Sequence, residues 1–152
     1  MIRVGIIGCG RIADQHATEI NKIPGCEFVG ACDSEELMAK QIAERFGIKS
    51  YFSDVSKFLE DARPDIVHIT TPPQSHYSLG KLCFEAGCHV MFEKPFALNT
   101  SQVEELINIA SSRNLKITVD HNVQFTYAML EMRKLIREGF LGGAPVHVEC
   151  TW

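Results

Sequence analysis

Three observations predict a doubly wound α/β fold on a parallel sheet. Apolar, β-branched runs of strand length recur along the chain, amphipathic helical runs separate them, and the first strand empties into a glycine-rich turn. The 152 residues suit about one ordinary domain with a real core. At 45% hydrophobic and 22% charged residues, the composition is that of a folded globular chain and not of a disordered tail.

The elements follow in order. Residues 3–7 form a short apolar strand, and residues 11–22 a helix with Ile12, Ala13, His16, Ala17 and Ile20 on one face, closed by Pro24 and Gly25. Residues 27–32 are a second strand. Ser34 is expected to cap a helix that buries Leu37, Met38, Ile42 and Phe46 and stops at Gly47. A short strand at 50–52 precedes a helical turn at 55–60. Residues 65–70, DIVHIT, read as a central strand buried on both faces. Ser75 caps a helix carrying Leu79, Leu82, Cys83 and Ala86, and Gly87 closes it. Residues 89–92 are the next strand. Ser101 and Glu104 have capping-box spacing ahead of Leu106, Ile107 and Ala110, and residues 115–119 are a sixth strand. Beyond Asn122 the pattern changes to a helix over 126–138, burying Met129, Leu130, the stem of Arg133 and Ile136, then a turn and an alternating strand, VHVECTW. Such a strand needs neighbours outside this sequence. The expected organisation is a parallel-sheet domain at 1–122 and the truncated start of a second, α+β domain at 123–152.

Composition narrows the function. The net charge of −4 and the lack of any Lys/Arg run argue against nucleic acid or an anionic membrane as partner. No stretch approaches the roughly 20 apolar residues of a membrane span. The apolar N-terminal run is short and ends in glycines, unlike a secretory signal, so a cytoplasmic protein is expected. The six cysteines contain no CxxC pair. Cys83 and Cys88 beside His89 admit a metal-ligand reading or a reading as small buried hydrophobes in a reducing compartment. No metal is assigned.

The first strand runs into Gly8-Cys9-Gly10-Arg11-Ile12-Ala13, a G-x-G-x-x-A turn that opens a helix. Gly8 permits the tight turn, and Gly10 leaves room for a pyrophosphate at the backbone amides. Ala13 lets helix and strand pack closely, and the helix N-terminus attracts the phosphates. Asp33, 25 positions after Gly8, ends the second strand, where a carboxylate accepts the ribose 2′- and 3′-hydroxyls. Ser34, Glu35 and Glu36 follow without an arginine for a 2′-phosphate, so NAD is favoured over NADP. This is the signature of a Rossmann dinucleotide domain. An S-adenosylmethionine-dependent methyltransferase, which also pairs a glycine loop with an acid, is the competing reading.

Phe92-Glu93-Lys94-Pro95 ends the fifth strand, on the side where parallel sheets bind ligands. The proline holds Lys94 extended and makes a cis peptide a reasonable expectation. A lysine beside a nicotinamide can hydrogen-bond the reacting hydroxyl and polarise the incipient carbonyl. On the triplet alone, an ordinary surface lysine stands level with that reading.

GIIGCGRIADQHA, TPPQSH (residues 71–76), AGCHVMFEKP and VDHNVQF together resemble the glucose–fructose oxidoreductase/inositol dehydrogenase (Gfo/Idh/MocA) family, across essentially the whole chain. The resemblance implies hydride transfer between NAD and a secondary hydroxyl of a sugar, inositol or nucleotide-sugar. It implies that Gly8, Gly10, Arg11, Ile12 and Ala13 hold the pyrophosphate and Asp33 the adenosine ribose. Thr70, Thr71 and Pro72 would line the groove. Glu93 and Lys94 would flank the nicotinamide ribose and substrate, with Lys94 catalytic, and Asn122 would lie beside the nicotinamide. His76 matches a family histidine that either touches cofactor or is structural. His121 and Gln124 depart from the family's Tyr-Asn-x-Arg-Phe pattern, and glutamine cannot make an arginine's bidentate anion contact. By the same resemblance, residues 123–152 begin a substrate and oligomerisation domain. The full-length protein would be a homo-oligomer, and this portion alone would bind cofactor with little turnover. A non-catalytic dinucleotide-binding regulator of the same fold is the alternative.

Overall fold

The computed structural model describes residues 1–140 together with 142, 143, 147 and 149. The chain divides into two compact units, Met1–Asp120 and His121–Trp152. In the first unit, strands β1 (Ile2–Ile7), β2 (Cys26–Cys32), β3 (Tyr51–Phe52), β4 (Ile66–Ile69), β5 (His89–Phe92) and β6 (Ile117–Val119) form one sheet in the order β3-β2-β1-β4-β5-β6. Every pairing is parallel. The crossovers carry helices α1 (Arg11–Ile20), α2 (Glu36–Phe46), α3 (Val55–Ala62), α4 (His76–Glu85) and α5 (Thr100–Ser112). The strand order reverses direction at β1/β4, which opens a crevice at the carboxyl ends of those two strands.

Two apolar cores cover the faces of the sheet. Ala13, Ala17 and Ile20 of α1 and Ala39 and Ile42 of α2 pack on Val4, Ile6, Phe28 and Ala31. On the other face Phe58, Cys83, Phe84, Leu106 and Ala110 pack on Ile7, Val67, Ile69, Val90 and Phe92. Four of the cysteines serve as small apolar residues. Cys9, Cys32, Cys83 and Cys88 are buried and unpaired, and burial pushes all four thiols up, those of Cys9 and Cys32 to about 12, with Asp33 adding to both. Thiols so held are inert at neutral pH.

Several local expectations are corrected. The cap of α2 is Glu35 and not Ser34. The helix buries Ala39, Ile42 and Ala43 while Leu37 and Met38 are exposed, because it starts later and its narrow face suits small residues against the sheet. The cap of α5 is Asn99, whose side chain accepts the Gln102 N–H at 3.0 Å, so the Ser101–Glu104 box does not form. Leu82, Ala86 and Ile107 are exposed, and the inner face of α4 is His76, Gly80, Cys83 and Phe84. In the second unit, a 3-10 turn (Asn122–Phe125) leads into α6 (Tyr127–Arg137). Met129 and Ile136 are half-buried and Leu130 is exposed. The expected strand VHVECTW lies outside the described residues apart from His147 and Glu149. Among the described residues, no helix is long and apolar enough to cross a membrane.

Gly80 shows how tightly α4 meets the sheet. A Cβ there would lie 2.6 Å from Phe92 Cζ and 3.1 Å from Leu106 Cδ2. Gly80→Ala should therefore destabilise the domain by about 1–3 kcal/mol through overpacking, although alanine is the better helix former by about 1 kcal/mol. Chemical denaturation measures the difference, and Phe92→Leu in the same chain should recover part of it.

Candidate functional site

The site is built on one row of residues. Register pairs Ile7 with Cys32 and with Ile69, Ile69 with Phe92, and Phe92 with Val119. The next residue on each strand is therefore Asp33, Gly8, Thr70, Glu93 and Asp120, side by side along the carboxyl edge of the sheet. Strands lie about 4.8 Å apart, so Asp33 and Glu93 are separated by roughly 14 Å of sheet edge.

Gly8 turns the chain with φ +97°, and a Cβ would stand 2.7 Å from both the Thr71 amide nitrogen and Cγ2. Conformation and space both require glycine there. The Gly8 N–H donates to Cys32 O at 2.8 Å. The Asp33 carboxylate locks the turn: Oδ2 accepts the Cys9 N–H at 2.7 Å and Oδ1 the Glu35 N–H at 2.9 Å. Oδ1 also accepts the Ser34 hydroxyl at 3.5 Å, so Oδ2 is the oxygen that keeps a lone pair for a further donor. Gly10, by contrast, has open space where a Cβ would be, at the N-terminus of α1. The Thr70 hydroxyl donates to the carbonyls of Ile7 and Gly8, tying β4 to the turn. Arg11 is exposed, Ile12 half-buried, and Ala13 fully buried under the helix.

These groups surround a cleft of about 410 Å³ whose lining includes Gly8, Gly10, Asp33, Thr70, Thr71 and Pro72. Val55, Ser75 and Leu79 also line it. Sequence reading did not place these at the site, since they come from α3, α4 and the turn before α4, brought over the edge by the crossovers. The open face at Gly10, a helix N-terminus with free amides, and a carboxylate at the far wall suit a nucleotide diphosphate.

Further along the row, Glu93 is buried and Lys94 exposed, and the Lys94–Pro95 peptide is cis. Glu93 Oε2 accepts the Lys94 N–H at 3.1 Å. His76 has no exposed surface. Its Nε2 lies 2.9 Å from Thr71 O, and its Nδ1 3.1 Å from Pro95 O and 3.3 Å from Phe96 O. The ring thus joins the loop after β4 to the loop after β5. Asn122 is exposed in the second unit, in the 3-10 turn with Gln124; His121 precedes that turn.

A polar cluster stands behind Glu93, with His16 and Glu93 buried and His68 and Asp120 half-buried. His16 Nε2 lies 3.2 Å from Glu93 Oε1 and 3.6 Å from Asp120 Oδ2, and His16 Nδ1 lies 2.9 Å from His68 Nδ1. Burial, with His16 beside it, pushes His68 down to about 4. Sequence reading placed His16 on the inner face of its helix but did not connect it to Glu93. The signal for Asp120 was available: like Asp33, Thr70 and Glu93, it directly follows a parallel strand.

Residues 2–121 match the model of an oxidoreductase family described by its NAD-binding Rossmann fold. The chain belongs to this Gfo/Idh/MocA family. Relatives include the D-glucoside 3-dehydrogenase of Escherichia coli, 34% identical over 142 residues that cover 93% of this chain and 40% of the relative. The myo-inositol 2-dehydrogenase of Thermotoga maritima is 26% identical over 141 residues, 93% of this chain and 42% of the relative. Among solved structures, scyllo-inositol dehydrogenase from Lactobacillus casei with bound NAD(H) and scyllo-inositol superposes with a TM-score of 0.86 at 26% identity, covering 93% of this chain and 42% of that one. The chain spans about two fifths of the length of these family members.

The cluster has a pH signature. An unfolded chain protonates His68 near pH 6.5, the folded chain only near 4. The unfolded state therefore binds the extra proton between those values, and stability falls as pH drops from about 6.5 toward 4, by up to roughly 3 kcal/mol. Urea midpoints at about pH 7.5 and 4.5 measure this, and His68→Leu should show a smaller drop than the parent. Equal drops in the two proteins would mean that His68 is not held neutral.

Proposed function

We propose that the chain binds NAD(H) across the carboxyl edge of its sheet and serves hydride transfer between the nicotinamide and a secondary hydroxyl of a sugar, inositol or nucleotide-sugar. The observation that carries this reading is the row Asp33, Gly8, Thr70, Glu93. It aligns a ribose-binding carboxylate, a phosphate turn and the Glu93-Lys94 pair over a span suited to an extended dinucleotide. The named substrates of the relatives, a glucoside and two inositols, support the substrate class.

In this reading the amides of Gly10, Arg11 and Ile12 at the α1 N-terminus hold the pyrophosphate, the Ala13 N–H being taken by Gly10 O. Asp33 takes the adenosine ribose through the lone pair left on Oδ2 beside the Cys9 amide. Its negative charge, with Glu35 and Glu36 following and no cation before Lys40, disfavours a 2′-phosphate, so NAD is preferred over NADP. The nicotinamide accepts or supplies the hydride when bound. Lys94, exposed at the end of the row, holds or moves the proton at the substrate hydroxyl. The groups gathered in the first unit are those of cofactor binding, so the 152 residues alone are expected to bind NADH with little or no turnover, since reaction needs cofactor and substrate held together.

Calorimetric titration of the chain tests this reading. NADH should bind more tightly than NADPH, and Asp33→Ala should narrow the preference by about ten-fold. A preference for NADPH would overturn the role of Asp33, and failure of both to bind would overturn the dinucleotide assignment. In a longer form that turns over substrate, Lys94→Ala should lower kcat by about 10²-fold or more while leaving NADH affinity nearly unchanged. Unchanged kcat would remove Lys94 from the proton transfer.

A further inference from the structure

His16 occupies a position that cofactor binding alone does not explain. It lies on α1 one turn beyond the residues that open the phosphate turn, yet its ring reaches under the sheet edge to Glu93, 77 positions away in sequence. We propose that His16 is a positioning residue: its Nε2–H clamps the Glu93 carboxylate, whose other oxygen holds the Lys94 amide, so that one helix sets both the phosphate turn and the Glu93-Lys94 turn. The inference rests on the dinucleotide reading for its consequence but not for its geometry.

The hydrogen inventory supports the clamp. A carboxylate can only accept, so the 3.2 Å contact to Glu93 Oε1 places a hydrogen on His16 Nε2. The two Nδ1 atoms of His16 and His68 are 2.9 Å apart, so one donates to the other. Whether His68 donates to a neutral His16 or accepts from a protonated one, the Nε2–H still faces Glu93. Asp120 Oδ2 is 3.6 Å from the same nitrogen, so the His16 N–H also separates two carboxylates. Without it the two carboxylates would face each other with no hydrogen between them, and the Glu93 side chain would lose its fixed orientation. Every polar side-chain atom in the cluster that is out of reach of water has a partner, so the arrangement is a completed network. Its four members come from α1, β4 and the ends of β5 and β6. The helix is ten residues long and packed along its inner face, so a shift at its N-terminus moves His16 with it.

Two readouts on the 152-residue chain separate the clamp from the ligand it serves. The first needs no ligand: the Lys94 amide proton in ¹H–¹⁵N spectra should shift upfield in His16→Ala and stay near its parent position in His16→Gln, whose side-chain amide can replace the Nε2–H. If His16→Ala does not fold, His16→Asn takes its place, since it can still meet His68 but is too short to reach Glu93. The second compares ADP, which covers only the adenosine and phosphate end, with NADH. His16→Ala should bind ADP like the parent and NADH about ten-fold more weakly, with glutamine restoring most of the loss. An unmoved Lys94 amide, or equal weakening of ADP and NADH, would overturn the clamp. Failure of the parent to bind either ligand would overturn the dinucleotide reading and leave the first readout to decide the clamp. Stoichiometric uptake of Co²⁺ by the parent that is lost in His16→Ala would make Nε2 a metal ligand with Glu93 and Asp120, and would overturn it as well.

Discussion

Parallel register across β2, β1, β4, β5 and β6 is the constraint on which the rest of the site depends. Because Cys32, Ile7, Ile69, Phe92 and Val119 are paired in one line, the five residues that follow them emerge together at one edge. None of these strands can slip by one residue without exchanging the residues it gives to the two cores. Core packing of Val67, Ile69, Val90 and Phe92 thus sets the functional row as firmly as any contact within the groove. The reversal of strand order at β1/β4 sends neighbouring crossovers to opposite faces and leaves the edge between them open.

Within that frame, α1 joins the two halves of the groove. Its N-terminus presents free amides beside Gly10, its small residues Ala13 and Ala17 let it approach the sheet, and His16 carries a hydrogen bond to the loop after β5. A second buried histidine does similar work on the opposite face, where His76 ties the carbonyl of Thr71 to those of Pro95 and Phe96. The loops after β4 and β5 are therefore held by imidazoles that reach backbone or carboxylate oxygens from packed helices. Such loops are pre-organised: little ordering is left to oppose ligand binding.

Much of this was legible in the chain. The G-x-G-x-x-A turn, the acid ending the second strand and the Glu-Lys-Pro triplet are local signals, and each stands where a strand ends. Strands at 3–7, 27–32 and 89–92 were readable because continuous apolar runs admit few alternatives. The caps were less so. Asn99 and Ser101 both offer a capping oxygen within two residues and have similar intrinsic preference for the position, so the sequence does not choose between them. For α2, Ala39, Ile42 and Ala43 face the sheet while Leu37 and Met38 are turned to solvent, a choice of face that tertiary packing makes.

By itself the sequence determined the fold class, the glycine turn after β1 and the family, since these depend on residues close together in the chain whose conformational demands are local: a positive φ at Gly8, a carboxylate at a strand end, a proline after a lysine. Tertiary structure alone decided which distant polar groups meet. His16, His68, Glu93 and Asp120 lie on four different elements, and nothing in their spacing announces a cluster. They meet because burying apolar surface sets the strand order, and burial then compels each polar group left inside to find a partner.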